Sequence, residues 1–306
     1  MFQAPESIQL QKIPHLLCKA RNVDLRVLRL DQTDALISGN KWYKLKYNLL
    51  TAKEQGFKTV LSFGGAYSNH IHALAWAGKQ LGINTVGVIR GEPEYAQNPT
   101  LTDARLWGMQ LQFVNRQQYR SRHESTMIEA QISQLADALK PVFVIPEGGS
   151  NSHALKGCAE ILNLPALDSF TPNTITLACG TGGTMAGIAT TLETHYPEAT
   201  LLGIPVLKNA EFLYQDIQQL MTGSGYTDPK NWSLDLQGHY GGYAKCSEEI
   251  DQFIDDMNQQ FNLPLDHVYT GKMLCRLLAL IKKGQFDGQR VLAIHTGGLQ
   301  GLRSIK

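Results

Sequence analysis

Charge is scarce and evenly divided in this sequence. Only 18% of its 306 residues are charged, and 28 Lys and Arg stand against 27 Asp and Glu, a formal net charge of +1. A protein that lives on nucleic-acid phosphates or anionic membranes carries a basic excess, which is missing here. No apolar run approaches the roughly eighteen residues of a membrane-spanning helix. The opening segment MFQAPESIQLQKIPH lacks a basic stretch followed by an apolar one, so a secretory leader is not expected. Cys18, Cys158, Cys179, Cys246 and Cys275 are odd in number and widely spaced, with no CxxC among them. That spacing disfavours zinc ribbons and thioredoxin-like redox sites, and suits reduced, mostly buried thiols in a cytoplasmic protein. No GxxxxGK[ST] occurs, which disfavours a nucleoside triphosphate, and no internal repeat or heptad pattern is visible.

Apolar residues, at 43% of the chain, are ample for a core, and the length suits two domains or one large one. Short apolar runs predict strands at Lys58–Phe63, Thr85–Ile89, Pro141–Ile145, Thr174–Ala178, Leu201–Val206 and Arg290–His295. Their Val/Ile/Leu content without alternation fits strands covered on both faces, as in parallel sheets. Between them, helical periodicity predicts helices that include Lys41–Ala52, Ile71–Leu81, His123–Leu139, Met185–Leu192 and Gly271–Lys283. Strand followed by helix, repeated, is the α/β pattern. Glycine is modestly enriched, and ten of the 28 form five Gly-Gly pairs, at 64-65, 148-149, 182-183, 241-242 and 297-298. Four pairs follow predicted strands, at the sheet edge where ligands of open α/β folds bind.

Three segments carry the chemistry. In Cys179-Gly-Thr-Gly-Gly-Thr184, backbone N–H groups from Gly180, Thr181, Gly182, Gly183 and Thr184 can wrap an anion at a helix start, and a small monophosphate suits it. In SGNKWYKL, Lys41 and Lys44 lie three apart on one helix face. That is either a solvated basic face or a Schiff-base lysine beside a phosphate-binding one. In GGAYSNH, Ser68 and Asn69 precede a helix, as an ordinary cap or as a cradle for a carboxylate. His70 and His72 have no third metal ligand nearby in sequence, so no metal site is expected. His123, His153, His195 and His239 read as surface or loop residues, and Trp76, Trp107 and Trp232 as packing.

These segments, in order, resemble the 1-aminocyclopropane-1-carboxylate deaminase and D-cysteine desulfhydrase family. SGNKWYKL is similar to its GGNKxRKL, GGAYSNH to its GGxxSNH, and PEGGSNSHALKG to its PxGGS turn. CGTGGTMAG resembles its phosphate loop, and DHVYTGKM and AIHTGGLQG its C-terminal signatures, so the likeness runs from Ser38 to Gly301. It implies the tryptophan-synthase-β-like fold: α/β, two open twisted mostly parallel sheets flanked by helices, with the cofactor between two domains. The implied division is a larger cofactor-binding domain, 1–46 and 152–306, and a smaller one, 47–151.

The resemblance further implies pyridoxal 5′-phosphate, linked to Lys41 as a Schiff base. Its phosphate would meet Lys44 and the Gly180–Thr184 loop, its phenolic oxygen Asn69, and its pyridine nitrogen Thr296. Ser68 would receive the substrate carboxylate with the backbone of Asn69 and His70, and Ser68 also enters catalysis in the deaminases. Tyr269 and Tyr243 correspond to two pocket tyrosines, with Tyr240 the other candidate in the same stretch; Thr270 would lie beside the substrate. Cyclopropane deaminases carry an acidic residue where Thr270 stands and Leu where Thr296 stands. The sequence therefore looks more like the desulfhydrases, which convert D-cysteine and water to pyruvate, ammonia and hydrogen sulfide. The alternatives are cyclopropane deamination to 2-oxobutanoate and, in another class, a non-catalytic binder of the cofactor or an amino acid. The expected partners are a small amino acid and a second copy of the chain, with neither nucleic acid nor membrane.

Overall fold

In a computed structural model of the protein, residues 8–245 and 247–304 are described. Cys246 and the first seven residues of the opening segment lie outside them. Among the described residues there are ten strands: β1 (Leu10–Lys12), β2 (Asp24–Leu28), β3 (Thr59–Gly65), β4 (Asn84–Arg90), β5 (Gln110–Val114), β6 (Val142–Ile145), β7 (Thr174–Cys179), β8 (Thr200–Pro205), β9 (Trp232–Leu234) and β10 (Arg290–Ile294). They form a six-stranded sheet, β1-β2-β10-β7-β8-β9, and a four-stranded sheet, β5-β4-β3-β6. All pairings are parallel except the edge pair of β1 with β2. This is the two-sheet α/β architecture, and all six predicted strands lie in it. Every residue of β7 is buried, as helices on both faces require.

Strand order places the site. In the large sheet the chain runs from β7 outward to β8 and β9, then returns to lay β10 on the other side of β7. In the small sheet β4 and β5 lie on one side of β3 and β6 on the other. The crevices at such reversals are where open α/β sheets bind ligands. β3 ends in the Gly64-Gly65 pair, and Gly182-Gly183 follow β7 at the start of the next helix.

Three helices pack unusually closely to carry the site. A Cβ on Gly157, in helix Ser152–Ala159, would lie 1.9 Å from the Tyr43 carbonyl oxygen of helix Asn40–Glu54. One on Gly187, in helix Gly183–His195, would lie 2.8 Å from the Leu155 carbonyl oxygen. The absent side chains let the lysine helix and the glycine-loop helix share one intermediary. The predicted helix His123–Leu139 is shorter than expected, a helix at Ser125–Ser133 followed by a 3₁₀ turn at Asp137–Leu139. Cys18, Cys158 and Cys179 are buried and unpaired, and Cys275 is half-buried. No helix among the described residues is long and apolar enough to cross a membrane.

Candidate active site

Both reversals open onto one cavity of about 730 Å³, within the usual range for small-molecule sites. Its lining brings together Lys41, Lys44, Ser68, Asn69, His70, Tyr243, Tyr269, Thr296 and all five residues from Gly180 to Thr184. Tyr240, the other tyrosine of its stretch, is not in the lining and packs against the apolar core that contains Ile204, Ile254 and Leu277.

Helix Gly183–His195 starts after Gly182, held at φ 74°, and no side chain caps its first turn. Those N–H groups are therefore free for an anion, and the helix dipole adds to them. Around them stand the Ser150 and Thr181 hydroxyls, 2.7 Å apart, and the Lys44 ammonium, which donates to Ser150 Oγ at 3.1 Å and to the Gly148 carbonyl at 2.8 Å. A Cβ on Gly183 would lie 2.4 Å from Ser150 Oγ and 2.9 Å from Lys44 Nζ, so only glycine permits this convergence. The Gly148-Gly149 pair thus gains a place, presenting a carbonyl to Lys44 and packing on Thr181 and His70.

Lys41 projects from the first turn of helix Asn40–Glu54, whose Asn40 N–H donates to the Thr296 carbonyl at 3.1 Å. Burial, and then the Lys44 charge, lower the Lys41 amine to about 7. Lys41 Nζ donates to Asn40 Oδ1 at 2.7 Å, and Asn40 Nδ2 donates to Thr184 Oγ1 at 2.8 Å. Asn40 therefore fixes the lysine, a role hidden in the sequence because Asn before a helix reads as a cap.

Ser68 caps helix Asn69–Leu81, accepting from the Ile71 N–H at 3.3 Å. Gln300 donates its amide to Asn69 Oδ1, which leaves Asn69 Nδ2 as a donor beside Gly298. Ser62 Oγ donates to the Ile145 carbonyl at 2.8 Å, so His70 Nε2 must donate to Ser62 Oγ at 2.9 Å. His70 Nδ1 is then a buried acceptor with no partner among the described residues. Burial and the charges of Lys41 and Lys44 hold its pKa well below the usual value, and the ring is neutral.

Tyr243 and Tyr269 meet edge to face, 6.1 Å between centroids. Burial raises both phenols, and each influences the other, so both keep their protons at neutral pH. The Tyr269 N–H donates to Asp266 Oδ2 at 2.8 Å. Buried Lys272, one turn on, donates to the carbonyls of His239 at 3.2 Å and Gly242 at 2.7 Å. It thereby fastens the loop that bears Tyr243 and the Gly241-Gly242 pair.

Thr270 departs from expectation. Its side chain is fully buried and faces away from the cavity, donating to Asp266 Oδ1 at 2.6 Å and accepting from the Asp266 N–H at 2.9 Å. Its hydroxyl is engaged by Asp266, and it is not among the residues that line the cavity. His123, read from sequence as a surface or loop residue, lines the cavity together with Arg90, Arg122 and Glu147. Arg90, Arg122 and His123 lie outside the glycine-rich segments and so carry no signal in the sequence, while Glu147 stands inside the PEGGS turn, where only the glycines drew notice.

A family model described as pyridoxal-phosphate dependent enzyme matches residues 9–297. A bifunctional D-cysteine desulfhydrase/1-aminocyclopropane-1-carboxylate deaminase of Arabidopsis thaliana is 31% identical, over 91% of this chain and 73% of its own. A D-cysteine desulfhydrase of Yersinia enterocolitica is 28% identical, over 91% and 88%. Among solved structures, an ACC deaminase homologue superposes with a TM-score of 0.86 at 27% identity, covering 97% of this chain and 91% of that one.

Proposed function

This chain belongs to the family of pyridoxal-phosphate-dependent enzymes, among the relatives of 1-aminocyclopropane-1-carboxylate deaminases and D-cysteine desulfhydrases, and on that premise we propose that it eliminates sulfide from D-cysteine, giving pyruvate and ammonia. The donor set suits the cofactor. A dianionic phosphate would meet the uncapped helix start at Gly183, the Ser150 and Thr181 hydroxyls and the Lys44 ammonium. Lys41 would hold it covalently, Asn69 Nδ2 would donate to its phenolic oxygen, and Thr296 would face its pyridine nitrogen. When bound, the cofactor supplies an electron sink that makes the substrate Cα–H bond easier to break.

The protein's own groups do the rest. The start of helix Asn69–Leu81, with Ser68, orients the substrate carboxylate. The Lys41 amine, held near neutrality by burial, takes the Cα proton. The protonated Tyr243 and Tyr269 stand ready to give a proton to the departing sulfur. The larger unit, 1–46 and 152–306, and the smaller, 47–151, would enclose the substrate between them.

The observation that carries this reading is the amine of Lys41, lowered to about 7 in a cavity that also gathers an anion cradle. The preference for sulfide elimination rests on Thr296. If its neutral hydroxyl faced the pyridine nitrogen, the bound cofactor would be a weaker sink, sufficient to expel thiolate and poorly matched to opening a cyclopropane. The test is to incubate the holoenzyme separately with D-cysteine, L-cysteine and the cyclopropane acid, assaying sulfide and keto acids. Pyruvate with equimolar sulfide from D-cysteine is expected, and Lys41→Ala should lower turnover by at least about 10²-fold. Full turnover by Lys41→Ala, or 2-oxobutanoate without sulfide, would sink the proposal.

A further inference from the structure

One cation at the cavity has no role in the elimination. Arg90 ends β4 and is paired in register with Gly65, the residue that opens the turn to Ser68. Its Nη2 would lie 3.5 Å from a Cβ on Gly65, so the guanidinium rests over that turn. The guanidinium also lies over the ring of Tyr119, 5.5 Å from its centroid. Tyr119 is itself only 3% exposed and donates its hydroxyl to Glu147 Oε1 at 2.8 Å. Arg122 shares the same ring at 5.1 Å and pairs with Glu147 Oε2 at 2.7 Å. The two guanidinium groups therefore differ: Glu147 neutralises Arg122, while Arg90 has no carboxylate partner among the described residues. Burial raises the Tyr243 phenol; the Tyr269 hydrogen bond and then the Arg90 charge oppose that rise, and the Glu147 charge adds to it. Arg90 is solvent-exposed at the cavity, over the Gly65 turn, and lines it together with Ser68, Tyr243 and Tyr269.

We infer that Arg90 is a second anion subsite, and that the preferred substrates are β-substituted amino acids whose departing thiol carries an acidic group such as a carboxylate. This rests on the elimination reading and narrows it. For S-carboxymethylcysteine, the Cα–H and Cβ–S bonds break and the Cβ–S electron pair leaves with sulfur, which gains a proton as mercaptoacetate. Water then displaces nitrogen from the three-carbon enamine, so substrate plus water gives pyruvate, ammonia and mercaptoacetate. A planar guanidinium matches a carboxylate through paired N–H donors, and a charge-assisted contact of this kind discriminates strongly against a neutral isostere.

The experiment compares S-carboxymethyl-D-cysteine with its neutral isostere S-carbamoylmethyl-D-cysteine on the holoenzyme, with the L-isomers in parallel. Wild type is expected to favour the acid at least about tenfold in kcat/KM. Arg90→Met should abolish that preference, and Arg90→Lys should restore part of it. No preference in wild type, or one that survives Arg90→Met, overturns the inference. An equal loss for both compounds also overturns it, since Arg90 would then serve the α-carboxylate. If neither compound nor D-cysteine is turned over, the elimination reading fails by itself. Calorimetric binding of the same two compounds to wild type and Arg90→Met then still decides the subsite, by the same tenfold criterion.

Discussion

At the scale of single residues, the site is governed by what burial does to amines and phenols. Lys41 falls from 10.5 to about 7 because the cavity wall strips water from its ammonium and because Lys44 adds a like charge. The unfolded chain keeps that proton up to its ordinary range, whereas the folded chain releases it near 7. Between these values the unfolded state binds more protons, so the burden on stability is full below about 7 and is relieved as pH rises toward 10.5. The same shift makes the amine nucleophilic at neutral pH. In protein stripped of cofactor, labelling of Lys41 by an amine reagent should follow a midpoint near 7, read by peptide mass spectrometry across a pH series. Lys44→Met should move the midpoint upward, because a repelling charge is gone. A wild-type midpoint near 10 would show that the wall does not desolvate the amine.

At the scale of elements, helix contacts without side chains set how closely the lysine and the glycine loop approach. A methyl group on Gly157 would overlap the Tyr43 carbonyl at 1.9 Å, and rigid backbone cannot yield as a flexible side chain would. Gly157→Ala should therefore cost about 1–3 kcal/mol in urea unfolding, as overpacked positions do. Gly223→Ala is the control: its Cβ would meet nothing within 4 Å, and it ends a helix. There the substitution should be neutral or stabilising by about 0.4–1 kcal/mol. A Gly157→Ala protein as stable as wild type would mean that the helices slide apart freely. Helix Ser152–Ala159 is not among the predicted helices: it is only eight residues long and follows directly on the Gly148-Gly149 turn. The central strands were legible because both faces are covered and their apolar runs are unbroken. Strands β1, β5 and β9 were not, being edge strands with polar residues, and β2 was hidden by the charges of Asp24 and Arg26. Helix Glu248–Phe261 could have been found, from Ser247 as cap, three acidic residues in its first turn and buried Ile250, Ile254 and Met257 on one face. In the site, glycine-rich segments announced themselves, whereas Asn40, Ser150 and Gln300 act through neighbours distant in sequence. Thr270 was misplaced because a signature fixes a residue's position along the chain and leaves the direction of its side chain open.

At the scale of the whole molecule, the cavity depends on groups from both sheets, and the 3₁₀ segment Leu299–Ser304 ties them together. From the end of the large sheet, Gln300 donates to Asn69 and accepts from Thr100 Oγ1 at 3.3 Å, both on helices of the small-sheet region. One 3₁₀ turn further on, Arg303 pairs with Asp103 at 2.6 Å, beside His72. These links differ in what they hold. The Arg303 side chain is 48% exposed, and such surface pairs contribute at most about 1 kcal/mol. Gln300 instead orients a carboxamide that faces the cavity, so its removal should be felt by the cofactor. Gln300→Ala is expected to raise the cofactor dissociation constant about 3–10-fold, the worth of one net hydrogen bond. Arg303→Ala should leave that constant within about twofold and lower only the thermal midpoint. Fluorescence titration of stripped protein measures the first quantity and a melting curve the second. If Gln300→Ala shifts the melting curve but leaves cofactor affinity intact, the segment is a brace between the two sheets and has no part in orienting Asn69.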